Sequence, residues 1–422
     1  LKRDLAVNLN LRFFLHVFMP FALGYYLSYF FRVVNGVIAE PVAMELGLGP
    51  ASLGWIGSAY FLFFASSQLP LGVLLDRYDT RKVASYILII AAIGSLTFAF
   101  AQSALMLWLG RGLIGLGVSA CLMAAFRAYA ALLPPERLPL VNGLQLASGG
   151  LGALTATLPV ELMLPLIGWR GLFIGLAVLS LLLAVLVRLR VPPILPTTDK
   201  PVALSVQIKE SLAIFRHPLF LRIAPASVIN QALYVALLSL WAAIWLRQVD
   251  GYSQAATADL LLWSAAGMVV GFLTLGWLAS RLQSLGISTS LVSIICMVLF
   301  LILLVLVLIR AQIPAVPLWF LLGLFSTAGA LMYAALSQGF PKSLSGRVNT
   351  ALNLMVFISA FLLQWLIGVM VSLWQPLENG FYPAQAYQVS IGICAAIQAL
   401  ALVWYFVGHR GRSKSQTTDA AA

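Results

Sequence analysis

Charge is what this sequence has least of. Asp, Glu, Lys and Arg make up 9% of its 422 residues, where a soluble globular protein carries about 25%. So few charges cannot coat a water-facing surface of this size. Cysteine is also scarce: Cys121, Cys296 and Cys394 lie singly inside apolar runs with no CxxC spacing, which reads as small core residues rather than a disulfide framework or thiolate metal site. His16, His217 and His409 stand far apart. No metal spacing, phosphate loop or nucleophile elbow occurs. The chain is therefore expected to need no metal or cofactor and not to be an enzyme. The period-two alternation of a membrane barrel is absent too. The first apolar run is too long for a cleavable signal peptide and no small-residue cleavage site follows it.

What is present is apolar sequence, 62% hydrophobic residues. It falls into runs near the ~20 residues that span a bilayer. In lipid such runs must satisfy their backbone internally, so helices are expected. We count twelve spans, at 13–38, 52–75, 83–101, 104–132, 139–163, 171–190, 218–246, 257–280, 287–309, 315–337, 348–374 and 385–407. The fold class expected is an all-α membrane protein, with twelve transmembrane helices in two pseudo-symmetric six-helix bundles. The bundles would occupy 1–190 and 218–408, joined by a cytoplasmic linker at 191–217 and followed by a basic tail at 409–422. Pro192, Pro193 and Pro196 rule out a continuous helix through the linker, and its second part has the mixed pattern of a segment lying on the membrane surface.

The net charge of +12 suggests nucleic acid until its positions are read. Glu40, Glu45, Glu161, Asp250 and Glu378 fall in one set of connections, with only Arg170, Arg247 and Arg310 beside them. The alternate connections hold Arg77, Arg81, Lys82, Arg137, Arg188, Arg190, Lys200, Arg281, Lys342, Arg347 and the tail Arg410–Lys414. That is the positive-inside pattern of a multi-pass inner-membrane protein with both termini cytoplasmic. The lipid bilayer, not nucleic acid, is the expected partner, and a monomer is the expected state.

The halves look related. Gly72–Arg77 matches Gly276–Arg281 at a separation of 204, and the stretch from Pro135 to Asn142 matches that from Pro341 to Asn349 about 206 residues on. Duplication with parallel halves is a plan of two-lobed transporters. The stretch GVLLDRYDTRK, Gly72–Lys82, sharpens this. Its Gly72, Leu74, Asp76, Arg77, Arg81 and Lys82 resemble the G-x-L-x-D-R-x-G-R-R/K signature of the major facilitator superfamily, with Asp79 or Thr80 where the second glycine is usual. Asp tolerates tight turns and caps helices. The resemblance implies secondary transport by alternating access, with helices one, four, seven and ten lining a central cavity. It also implies that Gly72, Asp76, Arg77, Arg81 and Lys82 form a cytoplasmic latch. Ser280 replaces the aspartate in the second copy, so that latch should be weaker. The basic residues alone would also serve as ordinary positive-inside anchors.

Ionisable residues inside spans mark function by default. Arg32 sits in the first span with Tyr25, Ser28, Tyr29, Asn35 and Gly36 at helical offsets on the same face. Arg111 sits in the fourth span, followed by Gly115 and Gly117, where the superfamily places an arginine and glycines. Arg127, nearer the cytoplasmic end, can snorkel to water. Internal pairing with Glu40, Glu161 or backbone carbonyls is the plain alternative for Arg32 and Arg111. A guanidinium otherwise binds carboxylate or phosphate as a fork. With no acid near the membrane middle, a small organic anion is the expected substrate. The candidate substrate residues are Arg32, Arg111, Tyr25, Tyr29, Asn35, Asn230, Gln231 and Tyr234. Gln145, Tyr333, Gln338, Asn353 and Gln364 are polar groups that more often bond between helices. If protons drive transport, Glu161 and Glu40 are the coupling candidates. Two subfamilies are similar in the first helix, the organic-anion:proton symporters and the organophosphate:phosphate antiporters. The Asp of the first is missing beside Arg32, and so is the central seventh-helix arginine of the second. An exporter of drugs or apolar compounds, and a non-transporting membrane sensor or partner-binding protein, are the competing readings.

Overall fold

Residues 11–134, 137–195, 213–340, 345–378 and 380–418 are described by the structure, a computed structural model. All regular structure among them is helical, as backbone self-satisfaction in lipid requires. Twelve long helices follow one another: α1 (Leu11–Leu46), α2 (Pro50–Arg77), α3 (Thr80–Ala99), α4 (Ala104–Leu132), α5 (Leu138–Thr155), α6 (Leu158–Arg190), α7 (Pro218–Gln248), α8 (Gln254–Ser284), α9 (Thr289–Leu308), α10 (Ala315–Gln338), α11 (Ser345–Val371) and α12 (Ala384–Thr418). Eleven are long and apolar enough to cross a membrane by length and composition. The other, α5, is 18 residues long and is diluted by Asn142, Gln145, Ser148 and four glycines.

Three expected boundaries move. The fifth span does not run to residue 163: α5 stops at Thr155, and residues from Leu158 belong to α6. There α6 bends at Gly168, whose φ of 64° only glycine adopts without strain. The first span continues through Pro41 to Leu46, and the last helix runs on to Thr418. Most of the expected linker and its surface segment, at 196–212, lies outside the described residues. Helix starts carry the side chains that accept orphan N–H groups: Asp79 for α3, Ser103 for α4, Ser253 for α8 and Ser288 for α9.

The two copies pack by one device. In the N-terminal half Gly115 of α4 lies against the carbonyl of Tyr60 in α2. In the C-terminal half Gly323 of α10 lies against the carbonyl of Ser264 in α8, and Tyr60 and Ser264 are 204 residues apart. The run GRGLIGLG thus serves close helix packing. The halves meet where α1 crosses α7, α2 runs beside α11, and α5 touches α8. The three cysteines are buried and free.

Candidate functional site

Arg32 projects from the middle of α1 into the space between α1, α2 and α11. It is 7% exposed. Its guanidinium carbon lies 4.3 Å from the ring centre of Tyr29, 5.0 Å from Phe357, and 5.8 Å from both Tyr60 and Phe64. Ring faces attract the cation without neutralising it. Its guanidinium bonds the Tyr60 side chain, its Nε has no hydrogen-bond partner, and no ion pair involves it among the described residues. Tyr60 is fixed by donating to the Ser28 carbonyl at 3.0 Å. Tyr25 and Tyr29 stand ring to ring at 5.1 Å, in room left by Gly149, where a β-carbon would come within 2.6 Å of Tyr25.

Arg111 is brought to the same ring from the other side. It is 1% exposed, and its guanidinium carbon lies 5.5 Å from the Tyr60 centre. Its Nη1 donates to the Phe31 carbonyl at 2.9 Å. Arg111 therefore ties α4 to α1, the backbone pairing weighed for it above, while Arg32 is held by rings and by a bond with the Tyr60 side chain.

The remaining candidates separate. Gln231 of α7 bonds Ser227 and Tyr333, and Tyr333 donates to Asn353 at 3.3 Å. Asn353 in turn donates to Gln68 at 3.4 Å, across the two halves. Tyr234 bonds the backbone and hydroxyl of Ser264 inside its own half. Asn230 is fully buried with both amide atoms unpartnered. Gln145 bonds Tyr129 and the Phe21 carbonyl, an interhelical tie.

Asn35 lies one turn outward from Arg32 and donates to the Ser239 carbonyl at 3.4 Å. Ser239 lies in a π-helical turn of α7, Leu237–Trp241. Its hydroxyl donates to Gln364 at 2.8 Å, and Trp241 donates to the Gln364 carbonyl at 3.0 Å. Gly57 leaves this amide cluster its space: a β-carbon there would strike the Gln364 amide and come within 2.9 Å of the Asn35 amide. Outside the cluster a cavity of about 690 Å³ opens between α1, α7 and α8, lined by Glu40, Glu161, Arg247 and Gln254 among others. Both coupling candidates bridge the halves there. Arg247 grips Glu40 as a fork at 2.9 and 3.1 Å, and Gln254 donates to Glu161 at 2.7 Å. In the α7–α8 connection, burial raises the Asp250 carboxyl against the opposing bonds from Trp245 and Arg310.

At the opposite end of the bundle from that cavity, the turn between α2 and α3 is Tyr78–Asp79, and neither residue needs a left-handed backbone. Asp79 accepts from the backbone N–H groups of Arg81 and Ile194, each at 3.1 Å, and pairs with the Arg81 guanidinium at 3.2 Å. The charged stretch is thereby stitched to the end of α6. Arg77 and Lys82 are exposed and Gly72 is half-buried. The side chain of Asp76 lies outside the described residues.

The ring cage was not legible beforehand. Tyr60, Phe64 and Phe357 read as ordinary apolar span residues, and only the pairing of α2 with α11 gives them a role. Ser239 did leave a signal: it stands 204 residues from Asn35, the repeat period itself.

A model of the Major Facilitator Superfamily matches residues 21–363. The chain belongs to the major facilitator superfamily. It is a multi-pass membrane transporter rather than an enzyme. Two solved structures of a bacterial homologue of the human lysosomal transporter Spinster share this superfamily fold. The inward-facing occupied form gives a TM-score of 0.72 at 18% identity, over 93% of this chain and 96% of that one. The inward-facing unoccupied form gives 0.73 at 19%, over 96% and 98%. Among curated superfamily relatives, a probable sulfoacetate transporter of Cupriavidus necator is 28% identical over 38% of this chain and 37% of its own length. The 4-hydroxybenzoate transporter PcaK of Pseudomonas aeruginosa is 26% identical over 60% and 55%. A nitrate/nitrite transporter of Picosynechococcus is 36% identical over 27% and 21%. The matches thus span between about a fifth and just over half of these relatives' own lengths.

Proposed function

We propose that this chain is a secondary active transporter that moves a small organic anion by alternating access, with Arg32 receiving the anion. The observation that carries the reading is a central guanidinium held by four ring faces and no carboxylate. An unneutralised cation in a low-dielectric space is costly, and an incoming carboxylate, sulfonate or phosphate offsets that cost by pairing with it as a fork. Tyr25, Tyr29 and Gln231 stand beside this position, while Asn35 serves the closure above it. Three relatives named for sulfoacetate, 4-hydroxybenzoate and nitrate transport support an anionic cargo.

In this reading the cluster of Asn35, Ser239 and Gln364 closes the outer side. The Glu40–Arg247 and Glu161–Gln254 bonds reinforce it, and a proton on either glutamate would loosen its bond, which makes both the coupling candidates. The stretch Gly72–Lys82 latches the cytoplasmic side when the cavity opens outward. Loop charge orients the protein in the inner membrane with both termini cytoplasmic, and a monomer contains the whole pathway.

The test is uptake into proteoliposomes by wild type, Arg32→Ala and Arg32→Lys, with a panel of carboxylates, sulfonates and phosphates. Arg32→Ala is expected to lower anion uptake by about 100-fold or more, and Arg32→Lys by less, since it keeps the charge and loses the fork. Wild-type uptake by Arg32→Ala would end the assignment. The ring-lined wall favours one other reading, export of apolar compounds. Dye efflux that survives Arg32→Ala while anion uptake is absent in wild type would establish that reading instead.

A further inference from the structure

Below the Arg32 cage lies a second layer of a different chemistry. Phe64 of α2 and Phe357 of α11 stack at 4.1 Å and both face the guanidinium. Helix α2 runs inward through the membrane and α11 runs outward. One turn further toward the cytoplasm, on the same faces, are therefore Gln68, four residues after Phe64, and Asn353, four residues before Phe357. They bond each other across the halves at 3.4 Å. Tyr333 of α10 and Gln231 of α7 extend the chain of bonds around the same level. Every member is neutral, and together they present amide and hydroxyl groups from four helices.

Distance and charge then define a cargo. The two layers are about one helical pitch apart, roughly 5–6 Å. Among the described residues the cation that faces these layers, Arg32, is in the outer one, and Arg111 is engaged by the Phe31 carbonyl behind Tyr60. A second anionic group reaching the inner layer would lose its water and meet no counter-charge, which is strongly unfavourable. Gln68 would keep the Phe64 carbonyl and Asn353 would keep Tyr333, but an apolar end would leave the Gln68 Oε1 and the Asn353 Nδ2 without partners once their long mutual bond opened, which is also unfavourable. A hydroxyl or amide satisfies both demands.

We infer that the cargo is a monoanion whose far end, roughly 6 Å from the anionic group, carries an uncharged hydrogen-bonding group, and that Gln68 and Asn353 read that group. This rests on the assignment of Arg32 as the anion's partner. It makes Gln68 and Asn353 specificity-determining residues, one contributed by each half. A cargo that bonds both would take the place of their direct contact and report its own presence to the two halves together.

The test uses two matched triads on the full-length protein in proteoliposomes: benzoate, 4-hydroxybenzoate and terephthalate; butyrate, 4-hydroxybutyrate and succinate. Binding and uptake are both measured. In wild type the hydroxylated member of at least one triad should be preferred to its partners by about tenfold or more, as a site built to bond a hydroxyl discriminates against analogues that lack it. Gln68→Met and Asn353→Leu should reduce that preference to about two- to threefold, through KM for the hydroxylated compound, with little change for its unsubstituted partner. Tyr333→Phe removes one link of the layer without altering packing, and should produce the same loss more weakly if the larger variants fold poorly. Equal handling of all three members of each triad by wild type, a preference for the dianion, or no binding of either hydroxylated compound would overturn the inference. So would a preference that survives in all three variants. If Arg32→Ala abolishes uptake while the Gln68 and Asn353 variants keep the wild-type preference, the anion assignment stands and the far-end reading fails. If Arg32→Ala transports normally, both fail.

Discussion

In the proposed orientation, the outer and the cytoplasmic seams between the two halves are built differently. Outside, α1 and α7 are joined by Asn35 donating to Ser239, Gly57 admits the Gln364 amide, an ion pair joins Glu40 to Arg247, and a hydrogen bond joins Glu161 to Gln254. Inside, the polar bond across the halves among the described residues is the 3.4 Å contact of Gln68 with Asn353. The charged stretch expected to clasp the partner half is stitched by Asp79 to Ile194 of its own half. Gly143 of α5 and Gly276 of α8, on the cytoplasmic side of that seam, face open space. The difference teaches where the chain has placed its helix-to-helix complementarity: buried amides and close glycine crossings hold the outer seam, and the inner seam is left free to part.

The hardest challenge to that contrast is a wedge at the outer seam. Gly57→Leu would drive a side chain into the Gln364 and Asn35 amides. It should reduce transport by about tenfold or more, since overpacking a close crossing costs roughly 1–3 kcal/mol. It should also raise thiol labelling of a cysteine placed at Val37, on the wall of the outer cavity. Unchanged labelling and transport would mean that this crossing does not close the pathway. A milder challenge is Glu40→Gln. The pair it breaks is about a quarter exposed on each side, at 25% and 30%, so a two- to fivefold change in uptake is expected, of the size that partly exposed ion pairs support. Glu161→Gln should do less, because an amide can still accept from Gln254. If Glu161→Gln proved the more damaging, the ion pair would lose its place as the principal outer fastening. The smallest effect on transport is expected from Asp79→Ala. It removes the α3 cap and the acceptor for Ile194, and lowers stability by about 1 kcal/mol, mostly through the cap. A thermal scan in detergent should show a fall of a few degrees, with uptake within about twofold of wild type. An unchanged midpoint would show that the stitch is slack.

Much of this was legible in the sequence because the membrane simplifies the problem. Apolar runs have to become helices, loop charge suggests their direction, and an arginine in a span demands an explanation. Arg32 and Arg111 were found that way, and the glycines after Arg111 are helix contacts in the structure. The break after Thr155 escaped because the apolar pattern runs on through Leu158–Ile167, interrupted only by Glu161, while the backbone does not. The destinations of the two arginines also escaped. Both lie in the outer halves of their expected spans on polar or glycine-rich faces, and only the packed neighbours separate a guanidinium bonded to the Phe31 carbonyl from one held by rings and the Tyr60 side chain. Asn35 was placed on the right face and given the wrong neighbourhood: it points along the repeat axis to its own counterpart, Ser239, which the 204-residue period could have named.

The cage of rings around Arg32 has an electrical consequence. Rings and a carbonyl hold a positive group in place but leave its charge intact, so in the proposed cycle the vacant carrier presents two positive charges, Arg32 and Arg111, and the monoanion-loaded carrier one. A transmembrane voltage acts on a charge that moves relative to the field, by about 2.3 kcal/mol per elementary charge per 100 mV over the full membrane. Reorientation of the vacant form should therefore respond to voltage more steeply than that of the filled form. Liposomes clamped with a potassium gradient and ionophore would reveal it: net flux, which requires the vacant return, should change more with potential than one-for-one exchange does.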